Sequence, residues 1–559
     1  MMRTKWNRRK NTEIHPDEIF FDSHNSSKFD GQQFEGRLEK PISRLSLSLI
    51  LLVFALILIS FISKIWVLQI NNGEFYAQKS ENNRLRHTPV FAVRGVIYDR
   101  NGEPLAWNEP SDDPDIFNRK YKETEGLSHV LGYVQYPSKD NAGFYYKEDF
   151  EGIAGIEKYF NSELHGKNGV KLVEVNALGK VQSSNVIDPP KEGKSIYLSI
   201  DSRVQSEMYR AIKDVAEKVG FAGGAGVMID TLTGEVIALT SYPEYSSEVM
   251  SSKKDSAKVK SYLTSSSKPF LNRAVDGLYT PGSIIKPYMA LAALNENTIS
   301  PSTQILSTGS ISIPNQYYPE LKTVFKDWKA HGLVDMRHAI AVSSDVYFYE
   351  IGGGYKDQKG LGIDRINKYM KMFGFGEKIE DSFFSGKNGT VPDPEWKKLN
   401  FNGESWNLGN TYHTSIGQYG FQVSAIQVVR AVSSIVNDGL LRDPSIIKDQ
   451  VGDVVRSIEI PKEDFTVIKE GMRLGVLSGT GTSLKVPYVD VASKSGTAEL
   501  GASKDKVNSW MTGYFPYKNP RYAFAMLMES GSVHNLIGAG AAMREVLDWM
   551  SINTPEYFK

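Results

Sequence analysis

Between Arg44 and Lys64 the chain runs for 19 residues without a charge, reading LSLSLILLVFALILISFIS from Leu45 to Ser63. As an α-helix such a run is about 29 Å long, close to the ~30 Å hydrocarbon core of a bilayer. A helix buried in a soluble core is seldom apolar on every face, so a membrane span is the better reading. Trp66 stands where an interfacial aromatic anchor belongs. A cleaved leader is disfavoured, because 44 residues precede the run and no small-x-small pattern follows it. The sequence therefore predicts one transmembrane helix over 45–66. A mean hydropathy of −0.32 is too low for a polytopic protein.

Charge sets the orientation. Residues 1–44 carry nine Lys/Arg, and the 20 residues before the run hold four against two in the 20 after it. Both biases predict a cytoplasmic N-terminus and a single-pass protein of the cytoplasmic (inner) membrane, with the rest of the chain outside the cytoplasm. Residues 1–44 are polar without periodicity and are expected to form a mostly disordered cytoplasmic tail. The whole chain has 65 basic and 65 acidic residues, so it lacks the cation surplus that nucleic-acid binding requires. With no cysteine, it has no disulfide, thiol nucleophile or Cys-based zinc site.

Residues 67–195 alternate short β-like runs with Gly and Pro, and Asn101-Gly102 marks a hairpin. From 196 the pattern becomes more regular. A helix is expected after Asp201, its N-cap, ending at Gly220. GAGVMIDTLTGEVIALTS reads as two strands, further helices are expected from Ser283 and over about 334–351 and 422–437, and three strands close the chain. Strands at both ends with helices between them predict an α+β fold, an antiparallel sheet with a helical cluster.

Ser-x-x-Lys pairs a nucleophile with a base, because positions i and i+3 share one face of a helix. Five copies occur, at Ser251, Ser265, Ser283, Ser445 and Ser503, and two are the same tetrapeptide SIIK. Ser251, Ser265 and Ser503 lie in polar stretches expected to be solvated loops, and Ser445 in a charged context expected to be a surface strand edge. Only Ser283 follows a Pro-Gly turn and opens an apolar helix, whose N-terminal N–H groups suit an oxyanion hole. Ser283 alone is equally readable as a capping serine. Ser343-Ser344-Asp345, expected on a helix, and Lys494-Ser495-Gly496-Thr497, after a strand-like run, are each more often structural when taken singly.

In the order Ser-x-x-Lys, Ser-x-Asp, Lys-Ser-Gly, spaced by 60 and 151 residues, the three motifs resemble the active site of penicillin-recognising serine transferases. RGVIYDRNGEPLA (94–106), HVLGYV (129–134) and GIAGIEKYFNSEL (152–164) are similar to the N-terminal pedestal (dimerisation-type) domain of class B penicillin-binding proteins. VPDPEWKKLNFNGESW (391–406) and SIGQYG (415–420) resemble the elongation branch of that family. The resemblance implies a pedestal domain over 67–195 and a transpeptidase domain over 196–555. Departures are Asp345 for the commoner Asn, Ser495 for Thr, and a transposed Gly-Tyr order in SIGQYG. Some relatives bind zinc through Asp, His and Cys near the second motif. Asp327 and His331 occupy similar places, but Ser344 stands where the Cys would be, so no metal and no cofactor is expected.

The resemblance also implies roles. Ser283 is the nucleophile on the carbonyl between two terminal D-alanines of a peptidoglycan stem peptide, with Lys286 as its general base. Ser343 and Lys494 relay the proton to the leaving D-alanine, and Asp345 holds Lys286. Ser495 and Thr497, flanking Gly496, hold the terminal carboxylate, and the N–H groups of Ser283 and Thr497 form the oxyanion hole. The acyl group then passes to an amine on a neighbouring stem peptide, cross-linking the wall during elongation and shape maintenance. β-Lactams acylate the same serine, and a SEDS-type glycan polymerase with other elongation-complex proteins is the implied partner. The alternatives are a D,D-carboxypeptidase, which passes the acyl group to water, and a non-catalytic β-lactam sensor or scaffold.

Overall fold

The computed structural model describes residues 43–111, 116–140, 145–175, 181–315, 318–380 and 382–559. Residues 1–42, where a disordered tail is expected, lie outside them. In the N-terminal unit the helix Arg44–Trp66 is capped by Ser43, whose hydroxyl accepts from the Ser46 N–H at 3.1 Å. It runs on through a π-helical turn, Val67–Asn71, and a further helix follows at Gly73–Arg84. None of its side chains is buried among the described residues. Among the described residues this is the one helix long and apolar enough to cross a bilayer.

Residues 86–559 form the second unit. Its first part carries a four-stranded sheet in the order Ile196–Tyr197, Ile97–Tyr98, Pro104–Pro110, Phe117–Tyr121. The expected hairpin at Asn101-Gly102 is present, and Asp99 organises it. One carboxylate oxygen of Asp99 accepts from the Asn101 and Glu103 N–H groups, at 2.8 and 2.9 Å. The other accepts from the Ser202 hydroxyl at 2.8 Å and its N–H at 3.2 Å, at the start of the helix Ser202–Val219. Nearby, Glu157 is fully buried and accepts from Arg94 Nε at 2.6 Å and Arg119 Nε at 2.7 Å.

The larger part is built on a five-stranded antiparallel sheet. Its order is Val236–Tyr242, Gly223–Asp230, Tyr522–Ser532, Lys506–Phe515, Ala492–Leu500. Side chains alternate across a strand, and here both faces are covered. Val227, Ala525 and Leu527 face a core shared with the helix Ala425–Val436. Met228, Phe524, Met526 and Met528 face a second core with the helices Ser202–Val219 and Ala539–Asn553. That double burial explains why AFAMLM in the central strand Tyr522–Ser532 reads as continuous apolar text rather than as an alternation. Asp201 caps its helix and Gly220 ends it at φ 80°, as the sequence predicts. The helix expected over 334–351 is instead two, Met336–Val342 and Asp345–Gly353.

Glu157 tests how much this architecture depends on one buried anion. Replacing it with Ala leaves two buried guanidiniums without a counter-charge, an uncompensated loss of roughly 3–5 kcal/mol. Denaturant unfolding of wild type and Glu157→Ala measures it, and a change below about 1 kcal/mol would contradict the assignment.

Candidate active site

Ser283 sits in a 3-10 turn, Gly282–Ile285, that feeds directly into the helix Lys286–Asn295 with Pro287 in its first turn. The turn lies flat against the edge strand Ala492–Leu500, and two glycines make that approach possible. A Cβ on Gly282 (φ 57°) would come within 2.8 Å of the Thr497 carbonyl, and one on Gly496 within 2.8 Å of the Ile284 side chain. Trp510, paired with Gly496 across the sheet, donates its indole N–H to the Thr280 carbonyl at 3.0 Å and pins the turn from the other side. From the SIGQYG segment, the Gly417 carbonyl accepts from the Gly282 N–H at 3.0 Å.

The second motif lies at the helix break. Ser343 ends the first helix in the left-handed region (φ 61°), and Ser344 opens the next by accepting from the Tyr347 N–H. The break, which the sequence reading placed inside one helix, turns both the carbonyl and the hydroxyl of Ser343 toward Lys286. Lys286 Nζ donates to Ser343 O at 2.8 Å, Ser343 Oγ at 3.2 Å and Asp345 Oδ1 at 2.6 Å. Its hydrogen bonds include none to Ser283. Lys494 Nζ reaches the same hydroxyl, 2.9 Å from Ser343 Oγ, and donates to the Ser495 carbonyl at 2.7 Å. Both lysines are fully buried, and Asp345 is the carboxylate beside them. Burial pushes the Lys494 ammonium well below its ordinary range, the Lys286 cation adds to that, and Asp345 opposes it.

Above this buried cluster opens a cleft of about 590 Å³ lined by Ser283, Ser343, Asp345, Ser495, Gly496 and Thr497. All eight residues singled out in the three motifs thus converge on one place: six line the cleft, and Lys286 and Lys494 lie beneath it. Such an arrangement presents a hydroxyl at a turn against an open strand edge, with a relay of two amines and a hydroxyl behind it.

The other Ser-x-x-Lys copies do different work. Ser445 is buried rather than on a surface strand edge. Its backbone bridges the edge strand through Ser445 N to Gly234 O and Val236 N to Ser445 O, so its SIIK is extended and its lysine leaves the serine's face. Ser251 is also buried, not in a solvated loop, accepting from the Val134 N–H at 3.1 Å. Ser265 and Ser503 pair locally with Ser267 and Asp505. The residues similar to a zinc set do not fit one. Asp327 accepts from the Ser344 hydroxyl at 2.8 Å and the Val346 N–H at 3.0 Å, so it caps the second helix, and Ser344 is spent as a donor.

Two cleft residues escaped the sequence reading. Thr480 Oγ1 accepts from the Ser495 hydroxyl at 2.6 Å, and the Thr480 N–H donates to the Ala341 carbonyl at 3.0 Å. It thereby ties the edge strand to the helix that ends at Ser343. Trp328 also lines the cleft and donates its indole N–H to the Val342 carbonyl at 3.2 Å. A threonine between two glycines reads as an ordinary turn, and a single tryptophan beside a lysine carries no pattern.

Residues 224–548 match the family model "Penicillin binding protein transpeptidase domain" and residues 114–198 match "Penicillin-binding Protein dimerisation domain". The chain is similar to peptidoglycan D,D-transpeptidase MrdA of Haemophilus influenzae, 29% identical over 596 residues, covering 87% of this chain and 88% of that one. Among solved structures it is similar to Pseudomonas aeruginosa PBP2 in complex with WCK 5153, with TM-score 0.69 and 29% identity over 85% of this chain and 98% of that one. It is also similar to PBP2 of Helicobacter pylori in complex with MreC, with TM-score 0.66 and 25% identity over 84% of this chain and 98% of that one.

The electrostatics of the buried cluster predict opposite responses to two substitutions. Asp345→Asn removes the charge that favours the Lys494 ammonium, so Lys494 should lose its proton at a lower pH than in wild type. Lys286→Met removes the like charge, so Lys494 should hold its proton to a higher pH. NMR titration of protein labelled at lysine Cε reads both shifts, and two shifts in the same direction would refute the coupling.

Proposed function

The chain belongs to the penicillin-binding protein transpeptidase family, and on that premise we propose that it is a serine-type peptidoglycan D,D-transpeptidase of the elongation type. The observation that carries the reading is the Ser343 hydroxyl held between Lys286 and Lys494, which joins three separate chain segments into one proton path beside Ser283. Ser283 Oγ attacks the carbonyl between the two D-alanines and forms an ester. Its proton passes to Lys286, the general base one helical turn on. Ser343 and Lys494 carry a proton to the departing D-alanine amine. Asp345 fixes Lys286 by their hydrogen bond.

Ser495 and Thr497 receive the substrate's terminal carboxylate, and the N–H groups of Ser283 and Thr497 receive the carbonyl oxygen as it gains charge. The open edge of the strand Ala492–Leu500 offers a peptide backbone a partner to pair with. An amine of a second stem peptide then attacks the ester and makes the cross-link. A β-lactam acylates Ser283 in the same way and leaves no departing amine to clear the site. Each position in this mechanism rests on its place in the motif and on the geometry above.

The protein works in the cytoplasmic membrane with its first residues inside and its catalytic domain in the periplasmic space. The apolar helix and the Lys/Arg bias support that topology. The likeness to a PBP2 solved with MreC supports membership of an elongation complex. A SEDS-type polymerase is the partner we infer for the span and the pedestal, residues 67–195, beneath the transpeptidase domain, residues 196–555.

The duplicated tetrapeptide makes the nucleophile testable. Ser283→Ala should abolish labelling by a fluorescent penicillin, by at least a hundredfold in rate, whereas Ser445→Ala should label within about twofold of wild type. A penicilloyl group mapped by mass spectrometry to Ser445 would overturn the assignment. Product analysis with and without an acceptor amine separates transfer from hydrolysis. Topology is read by adding protease to spheroplasts, which should digest the chain beyond about residue 70 and spare the first 44 residues. Protection of the C-terminal part would reverse the model.

A further inference from the structure

The three motifs account for the donor half of the reaction and leave the acceptor without a seat. Ser495 and Thr497 lie on the edge strand, so the donor peptide occupies that wall. Ser343, Asp345 and Trp328, from other segments, line the same cleft. Trp328 is 56% exposed although it lines the cleft. Its position is nevertheless fixed. The indole N–H is bonded to the Val342 carbonyl, one residue before Ser343, and the His331 ring packs edge-on at 5.0 Å. Its own backbone N–H donates to Asp327 at 2.8 Å. The ring is thus anchored by its edge, with one face turned toward Lys329. That face already attracts a cation, with Lys329 Nζ 4.5 Å from the ring centroid. A tryptophan face is the best aromatic site for an ammonium, and the Asp345 carboxylate, 18% exposed, lines the same cleft.

We propose that Trp328 is the acceptor-binding residue of this site, receiving the aliphatic ammonium group of the second stem peptide and delivering it to the acyl-enzyme. The inference rests on the transpeptidase reading above. The incoming ammonium displaces that of Lys329 from the ring and gives up one proton to water. Its nitrogen then attacks the ester carbon, so that an N–C bond forms and the C–O bond to Ser283 breaks. The second amine proton passes to Ser283 Oγ, which restores the free serine. Trp328 makes no hydrogen bond to Lys286, Lys494 or Asp345, and its effect on transfer is read on the acyl-enzyme already formed.

The experiment uses the full-length protein in detergent, a soluble D-Ala-D-Ala pentapeptide as donor, and two acceptors. One is Nα-acetyl-lysine amide, cationic at neutral pH, and the other is hydroxylamine, uncharged there. The readout is the ratio of aminolysis to hydrolysis of the same acyl-enzyme, with penicillin acylation measured alongside. Trp328→Leu, which keeps an apolar side chain without a π face, should lower the ratio for the lysine amide about tenfold, the scale of a partly desolvated cation–π contact. It should leave the ratio for hydroxylamine within about twofold. Trp328→Phe should recover most of the loss. An unchanged lysine-amide ratio in Trp328→Leu, or an equal fall with both acceptors, overturns the proposal. Absence of any acylation in wild type overturns the transpeptidase reading instead, so the two failures are told apart.

Discussion

Two lysines buried beside one carboxylate set the terms for everything around them. Lys286 and Lys494 share the Ser343 hydroxyl, and Asp345 neutralises only one of them. Taking a cation out of water costs several kcal/mol, and a second beside it costs more. Lysine can escape that cost by losing a proton, and Lys494 is pushed in that direction. The pedestal contains the same charge count with the opposite consequence. Arg94 and Arg119 converge on Glu157, all buried. A guanidinium keeps its proton under any physiological condition, so that trio can only hold structure together. The choice of lysine over arginine gives a buried two-to-one cluster the capacity to exchange protons that our proposed mechanism uses.

The fold holds that cluster by converging three independent pieces of backbone. The edge strand Ala492–Leu500 supplies Lys494, the 3-10 turn supplies Ser283 and Lys286, and the junction of two helices supplies Ser343 and Asp345. None of these is stabilised by the chemistry itself. The sheet is fixed by burial on both faces, the turn by the Trp510 and Gly417 hydrogen bonds, and the junction by Asp327 capping the second helix. These supports are apolar packing and hydrogen bonds made outside the lysine–carboxylate cluster, so the frame does not rest on the charges it encloses.

Features with a local cause were legible in the sequence. The span declared itself by nineteen uncharged residues, and the helix after Asp201 by its cap, its periodicity and Gly220. The motif residues were legible because their order and spacing are a joint pattern. What escaped depends on distant contacts. No residue near Ser343 announces a break, since Ala-Val-Ser-Ser-Asp-Val suits a continuous helix. Asp327, seventeen residues earlier, is what caps the second half. The burial of Ser251 and Ser445 was equally hidden, because polar neighbours suggest solvent while the covering elements come from Tyr121 and Val134 in one case and Ser199 and Gly234 in the other. Thr480 and Trp328 gain meaning only from the cleft they line.

The pedestal and the catalytic part meet through covalent neighbours and through shared structure. The strand Ile196–Tyr197 pairs in parallel with Ile97–Tyr98, and the hydrophobic core that contains Ile97, Leu105 and Val130 continues without interruption to Ile284, Val429 and Leu527. Asp99 closes a pedestal hairpin with one oxygen and holds the first turn of the Ser202–Val219 helix with the other. That helix in turn packs under the sheet whose edge carries Lys494. A close-packed interior transmits displacement rather than absorbing it. One continuous run of packed side chains therefore joins the pedestal to the sheet that carries the cleft.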